Sequence, residues 1–209
     1  MPRRLGEAIV TRERLREIYR QPNHRAANKV IDHIDQICRA FIAACPFVVV
    51  ATRGADGRID LSPKGDPAGF ITVLDDKTLA IPDRLGNNRL DTFENLLVHP
   101  EVGLFLLIPG NGDTLRISGR GLVVQDTQLQ EQASVNGKPS SAMLVVTVEE
   151  AFLQCAKAVT RSRLWLPAFW PDLTRVPSLA EAMVAHGDLE ETVPEMQAII
   201  EKDAVERLY

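Results

Sequence analysis

The sequence predicts a mainly β (α+β) fold: an antiparallel barrel or sandwich with helices at both ends. Three observations lead there. Short β-branched runs fill the middle of the chain. Tight-turn signals separate them, at Ala55-Asp56-Gly57, Asp75-Asp76-Lys77 and Pro109-Gly110-Asn111-Gly112, and connections that short join antiparallel neighbours. Helical spacing of apolar residues is confined to the first 45 residues, one mid-chain segment and the last third.

Taken in order, Thr11-Arg12-Glu13-Arg14 opens a first helix that Pro22 and Asn23 break. A second helix is expected to carry Val30, Ile34, Ile37, Phe41 and Cys45 on one face. Pro46 ends it. Phe47 to Thr52 is short, apolar and β-branched, so it reads as a buried strand, and Arg58 to Ser62 returns beside it. Pro63 is expected to stop that ladder. Phe70 to Leu74 and Thr78 to Ile81 form another hairpin. A helix from about Asn88 to Val98 follows, with Leu90, Phe93, Leu96 and Leu97 on its apolar side and Asn87 or Asn88 as cap. Strands at Val102 to Ile108, Thr114 to Val124 and Met143 to Val148 complete the set. Asp126 caps a short helix, Thr127 to Ala133. The last third returns to helix, one segment with Leu179, Met183 and His186 and another with Val193, Met196, Ile199, Ile200 and Val205. The chain thus divides into an N-terminal helical extension (1–45), a β domain (46–166) and a C-terminal helical extension (167–209).

The bulk numbers narrow the function. In 209 residues, 45% are hydrophobic and 25% charged, the profile of a globular chain with a full core. A net charge of −4 argues against a general nucleic-acid binder. No apolar run approaches the ~20 residues of a membrane helix, and Met1-Pro2-Arg3-Arg4 leads into no signal-like segment, so a cytoplasmic location is expected. Cys38, Cys45 and Cys155 lie in apolar contexts and read as buried free thiols. The histidines, His24, His33, His99 and His186, never reach metal-ligand spacing, so no metal site is expected. No Walker loop, Gly-rich dinucleotide fingerprint, Gly-x-Ser-x-Gly or Cys–His arrangement occurs. Any reaction would therefore depend on a cofactor.

Basic side chains gather at three places. Arg84 and Arg89 flank the start of the mid-chain helix, in Ile81-Pro82-Asp83-Arg84-Leu85-Gly86-Asn87-Asn88-Arg89. Cations there oppose the helix dipole unless an anion joins them, and free N–H groups with two guanidiniums would hold a phosphate. A solvated turn with surface arginines fits the same residues. Lys64, in Ser62-Pro63-Lys64-Gly65-Asp66, is another cation for that site. Arg116, Ser118 and Arg120 share a strand face. Lys157 and Arg161 share a helix face, and Trp165 follows them.

These segments, in this order, resemble the pyridoxamine 5′-phosphate oxidase-related FMN-binding split-barrel proteins. The motifs are Ser62-Pro63-Lys64-Gly65-Asp66-Pro67, Ile81-Pro82-Asp83-Arg84, Gly86-Asn87-Asn88-Arg89-Leu90-Asp91, Thr114-Leu115-Arg116, Cys155-Ala156-Lys157-Ala158, Arg161-Ser162-Arg163-Leu164-Trp165 and the closing Glu206-Arg207-Leu208-Tyr209. The resemblance implies a six-stranded antiparallel split β-barrel that forms a homodimer, with FMN in each of two clefts at the subunit interface. It places the phosphate on Asn87-Asn88-Arg89, with Asp83, Arg84 or Lys64 beside it. Residues from Arg58 through Ser62 to Lys64 would line the flavin, Arg116 would reach it, and Lys157, Arg161 and Trp165 would touch cofactor or partner subunit. The implied activity is FMN-dependent oxidation or reduction of a small organic substrate or a reduced nicotinamide. A flavin- or haem-binding sensor and a deazaflavin-dependent reductase are the alternatives. The C-terminal arginine- and histidine-bearing motif of the oxidases proper does not occur here, so the resemblance extends to the cofactor and not to the vitamin substrate.

Overall fold

The computed structural model describes residues 6–209, so the Met1-Pro2-Arg3-Arg4 start falls outside the described residues. The chain separates into two compact units, residues 1–30 and 31–209. In the first, Thr11 caps α1 (Arg12–Ile18) by accepting a bond from Arg14 N. Asn23 caps the short α2 (His24–Ala27) in the same way. Neither helix buries a side chain.

The second unit opens with Ile31 exchanging two backbone bonds with Ala151. Asp35 then caps α3 (Gln36–Ala43), accepting from Cys38 N at 2.8 Å. This cap sets the phase of the helix. Cys38, Phe41 and Ile42 face the core and Ile37 stands in solvent, so the expected face through Val30 and Ile37 is corrected.

The strands are β1 (Phe47–Arg53), β2 (Ile59–Gly65), β3 (Thr72–Val73) and β4 (Thr78–Pro82). After α4 (Asp91–Val98) come β5 (Glu101–Leu107) and β6 (Thr114–Val124). Then follow α5 (Thr127–Gln132), which Asp126 caps, and β7 (Met143–Gln154). All pair antiparallel in the order β2-β1-β5-β6-β7-β4-β3. Among the described residues seven strands are present where the resemblance implies six, and the additional one, β3, is two residues long. β2 continues through Pro63, which faces Val49. Proline is tolerated because β2 is an edge strand, where a missing N–H breaks no second ladder.

Alternate residues of the strands turn inward: Val48 and Val50 of β1, Leu104 and Leu106 of β5, Leu115 and Ile117 of β6, Leu144 and Val146 of β7. With Ile34, Cys38 and Ile42 they form one core cluster. Each such side chain contributes roughly 1.5–3 kcal/mol on burial. At a register shift between Ser118 and Gly119, β7 carries the extra residue Glu149 and bends against β6. Such a bulge sharpens strand twist, which helps one sheet curl around one core.

After β7 come α6 (Lys157–Ser162), α7 (Leu179–Gly187) and α8 (Val193–Glu206). The last two begin with capping boxes, Ser178 with Glu181 and Thr192 with Glu195, each satisfying two otherwise orphaned donors. All three cysteines are free, and the expectation of burial holds for two of them. Cys38 and Cys45 are buried and Cys155 is exposed, because it lies just past the end of β7. Burial pushes the Cys38 thiol up to about 11 and raises that of Cys45, which makes both poor nucleophiles.

Candidate functional site

The site begins with an irregular loop. Between β4 and α4 the chain needs a sharp reversal, and Asn88 and Leu90 take it up with φ of 57° and 59°. Asparagine tolerates this left-handed conformation; leucine pays a steric penalty of roughly 1–2 kcal/mol. Leu90, not Asn87 or Asn88, stands at the cap of α4, and it offers no side-chain bond. The helix is therefore shorter than expected. Asn87 instead accepts a bond from Arg89 N at 3.1 Å. On the other side Asn95 donates to the buried Thr52 Oγ1 of β1 at 3.0 Å, which fixes α4 on the sheet.

Loop, helix start and edge strand enclose a cavity of about 370 Å³. Of the expected residues it gathers Ser62, Lys64, Asp83, Arg84, Asn87, Asn88 and Arg89. It also gathers Asp60, from the stretch expected to line the flavin, and Asp91, Thr92 and Phe93, which were not expected there. The cations are not bare. Lys64 Nζ donates to Asp83 at 3.2 Å and lies 5.6 Å from the centre of the Phe93 ring. Arg89 Nε donates to Asp91 at 2.7 Å. Arg84 Nε donates to Asp66 at 2.6 Å, and its Nη2 to Ala133 O at 2.7 Å. Thr92 donates to Asp60 at 3.2 Å. Contrary to expectation, these arginines do not need an anion at the helix start: Asp91 and Glu94, in the first turn of α4, already supply the sign its dipole favours.

The pairs differ in strength. Arg89 and Asp91 have side chains 71% and 42% exposed, and a pair so open to water contributes about 0–1 kcal/mol. The Asp66 side chain is 1% exposed, so Arg84 has no cheap alternative partner. Arg89 is free to exchange its carboxylate for another anion, and Arg84 keeps its own.

Two further cavities adjoin. One, of about 430 Å³, shares Ser62, Lys64, Arg84 and Asn87 with the first and is closed by Leu208 and Tyr209. The other, of about 340 Å³, lies on the outer face of β1, β5 and β6 and contains Arg116. There Arg116 sits 5.1 Å from the centre of the Phe152 ring and donates to Gln154 at 3.4 Å. The remaining expected residues line none of these three cavities. Arg58 is exposed on the β1–β2 turn and pairs with Asp56 at 3.2 Å. Lys157 and Arg161 lie on the solvent side of α6. Trp165 donates to Asn111 O at 2.7 Å, tying the end of α6 to the β5–β6 turn.

The missed carboxylate of Asp91 had a signal. It lies two residues from Arg89, a spacing that invites the local pair that forms. Asp66 and Tyr209 had none, being 143 positions apart.

Comparison with known proteins supplies the family. No curated protein matches the chain. Among solved structures, HupZ of Group A Streptococcus is 18% identical over 58% of this chain and 94% of its own, with a TM-score of 0.49. A Clostridium acetobutylicum protein related to general stress protein 26, of the pyridoxinephosphate oxidase family, is 16% identical over 56% and 84%, TM-score 0.41. An FMN-binding protein of Syntrophomonas wolfei is 13% identical over 55% and 79%, TM-score 0.40. The family model described as pyridoxamine 5′-phosphate oxidase matches residues 34–155, which run from α3 to the end of β7 and make up more than half of the chain. The chain belongs to the pyridoxamine 5′-phosphate oxidase family.

Proposed function

We propose that this protein binds FMN in the cavity between β2, the 83–90 loop and α4, and uses it to oxidise or reduce a small organic substrate or a reduced nicotinamide. The observation that carries the reading is the convergence of Lys64, Arg84 and Arg89 with the start of α4 on one cavity. Its volume of about 370 Å³ falls in the range typical of cofactor and ligand sites. The donor set suits a phosphate. Arg89 gives up only a weak, solvent-screened pair on turning to it. Lys64 has three ammonium donors and spends one on Asp83.

When bound, the flavin would supply the hydride and electron chemistry that no protein side chain here offers. The chain's own residues bind and orient. Arg89 and Lys64 balance phosphate charge. Arg84, anchored on Asp66, holds the loop in place. Phe93 and Leu61 bring apolar surface to the cavity.

The reading includes a homodimer. Phe47, Ile59, Leu61 and Phe105 are exposed apolar residues of β1, β2 and β5, and the Arg116 cavity opens on that outer face. A second copy seated there would bring Arg58, Arg116, Lys157, Arg161 and Trp165 toward the cofactor from one subunit or the other. Among the described residues no helix is long and apolar enough to cross a membrane.

Flavin fluorescence during titration of the purified protein tests the proposal. FMN is expected to bind with micromolar affinity. Arg89→Ala is expected to weaken it by one to two decades, the worth of one charge-assisted hydrogen bond of roughly 1.5–3 kcal/mol. Protein that stays colourless and leaves FMN fluorescence untouched would overturn it. Unchanged affinity in Arg89→Ala would remove Arg89 from the site.

A further inference from the structure

We propose that the cavity closed by Tyr209 is the substrate compartment, that it takes a small planar carboxylate, and that Tyr209 is the positioning residue that makes it selective. The proposal rests on reading the neighbouring cavity as the FMN cleft. The two spaces share Ser62, Lys64, Arg84 and Asn87, so a molecule in the second lies directly beside one in the first.

The linings differ in chemistry. The first cavity carries the carboxylates of Asp60, Asp83 and Asp91. The second has none among its lining residues, only the cations Lys64 and Arg84. Its other walls include Phe70, Leu85, Leu208 and Tyr209. Cations together with flat and aliphatic surface match an anionic group on a planar apolar body.

Donors remain for that anion. Arg84 spends Nε on Asp66 and Nη2 on Ala133 O. Among the described residues its Nη1 has no hydrogen-bond partner, and Lys64 Nζ spends one donor of its three. A carboxylate can accept from both.

Tyr209 is held at three points. Its hydroxyl donates to Asp66 Oδ1 at 2.8 Å. Its ring stands 5.8 Å from the Arg84 guanidinium. Its main-chain oxygen accepts from Lys138 Nζ at 2.7 Å. Asp66 thus receives Arg84 on one oxygen and Tyr209 on the other, and the phenol helps fix the plane in which Arg84 presents Nη1. The Asp66 bond, with burial and the charge of Asp66, holds the phenol above its ordinary value, so it stays a donor through the physiological range.

Calorimetric titration of the FMN-loaded protein with benzoate and with its neutral isostere benzamide tests this. Benzoate is expected to bind about tenfold more tightly than benzamide, the worth of one charge-assisted bond. Tyr209→Phe keeps the wall and frees Asp66, and is expected to erase most of that preference while benzamide affinity stays the same. Tyr209→Ala is expected to weaken both probes, with FMN affinity within twofold of the parent in both variants. A merely structural tyrosine would lower the two probe affinities together in Tyr209→Phe, and that result overturns the proposal. So does a wild-type protein that binds neither probe or binds both alike. Should FMN itself fail to bind, the flavoprotein reading falls on its own. The benzoate preference and its loss in Tyr209→Phe are then read on the protein without FMN.

Discussion

Asp66→Ala is expected to destabilise the protein by about 3–5 kcal/mol, because it strands a guanidinium whose counter-charge has been removed from a dry place. The carboxylate is 1% exposed and Arg84 is 16% exposed, so water cannot take over the lost role cheaply. Tyr209 loses its partner in the same step. For a chain of this size each kcal/mol moves Tm by roughly 2–4 °C, and thermal unfolding is expected to show a fall of about 10 °C. The double variant Asp66→Ala/Arg84→Met is expected to regain more than half of the loss, since removing both charges leaves no unpaired ion. A single-variant loss under about 1 kcal/mol would put the pair in the class of surface bridges and withdraw Asp66 as the anchor of the loop.

Gly119→Ala is expected to cost about 3 kcal/mol or more. A Cβ at this position would stand 2.0 Å from Thr147 O, 3.0 Å from Thr147 C and 3.2 Å from Val148 Cα. All three are backbone atoms of β7, so no rotamer change relieves the clash. The two longest strands, β6 and β7, would have to separate at their bulge, and overpacking of that kind costs 1–3 kcal/mol even where side chains can yield. Gly103→Ala is the control. Its Cβ would meet only Ala51 Cβ, at 3.7 Å, an ordinary contact, and the loss of unfolded-chain freedom offsets the rest. Urea midpoints separate the two variants. Equal midpoints for Gly119→Ala and the parent would mean that the bulge is not a tight contact in solution.

The strands were legible because burial on one face of a sheet writes itself into the chain at period two. Val48 and Val50, or Leu115 and Ile117, cannot be read otherwise. What stayed illegible depended on groups distant in sequence or on unusual dihedrals. Pro63 reads as a strand terminator until β2 is known to be an edge. Ile37 and Cys38 compete for the inner face of α3, and Asp35 decides between them by capping. The start of α4 is hidden because leucine is a poor residue for left-handed backbone, and nothing local announces Leu90 there. At the site the cations were visible and their neutralisation was not. Lys64–Asp83 and Arg84–Asp66 span 19 and 18 positions, and only the folded loop brings them together.

That neutralisation governs how a ligand arrives. Lys64, Arg84 and Arg89 against Asp60, Asp83 and Asp91 leave the pocket lining with no formal charge. On the proposed FMN reading, a phosphate approaching from beyond the screening distance, about 8 Å at physiological ionic strength, would feel little pull, and its capture would be a swap of counter-ions made at close range. Association should then run at the unsteered pace and hardly change when salt is raised, in contrast to the steep slope of an open basic funnel. Stopped-flow capture of FMN across a salt series reads that slope directly, and a strong decline with salt would mean that the pairs stand open before the ligand comes.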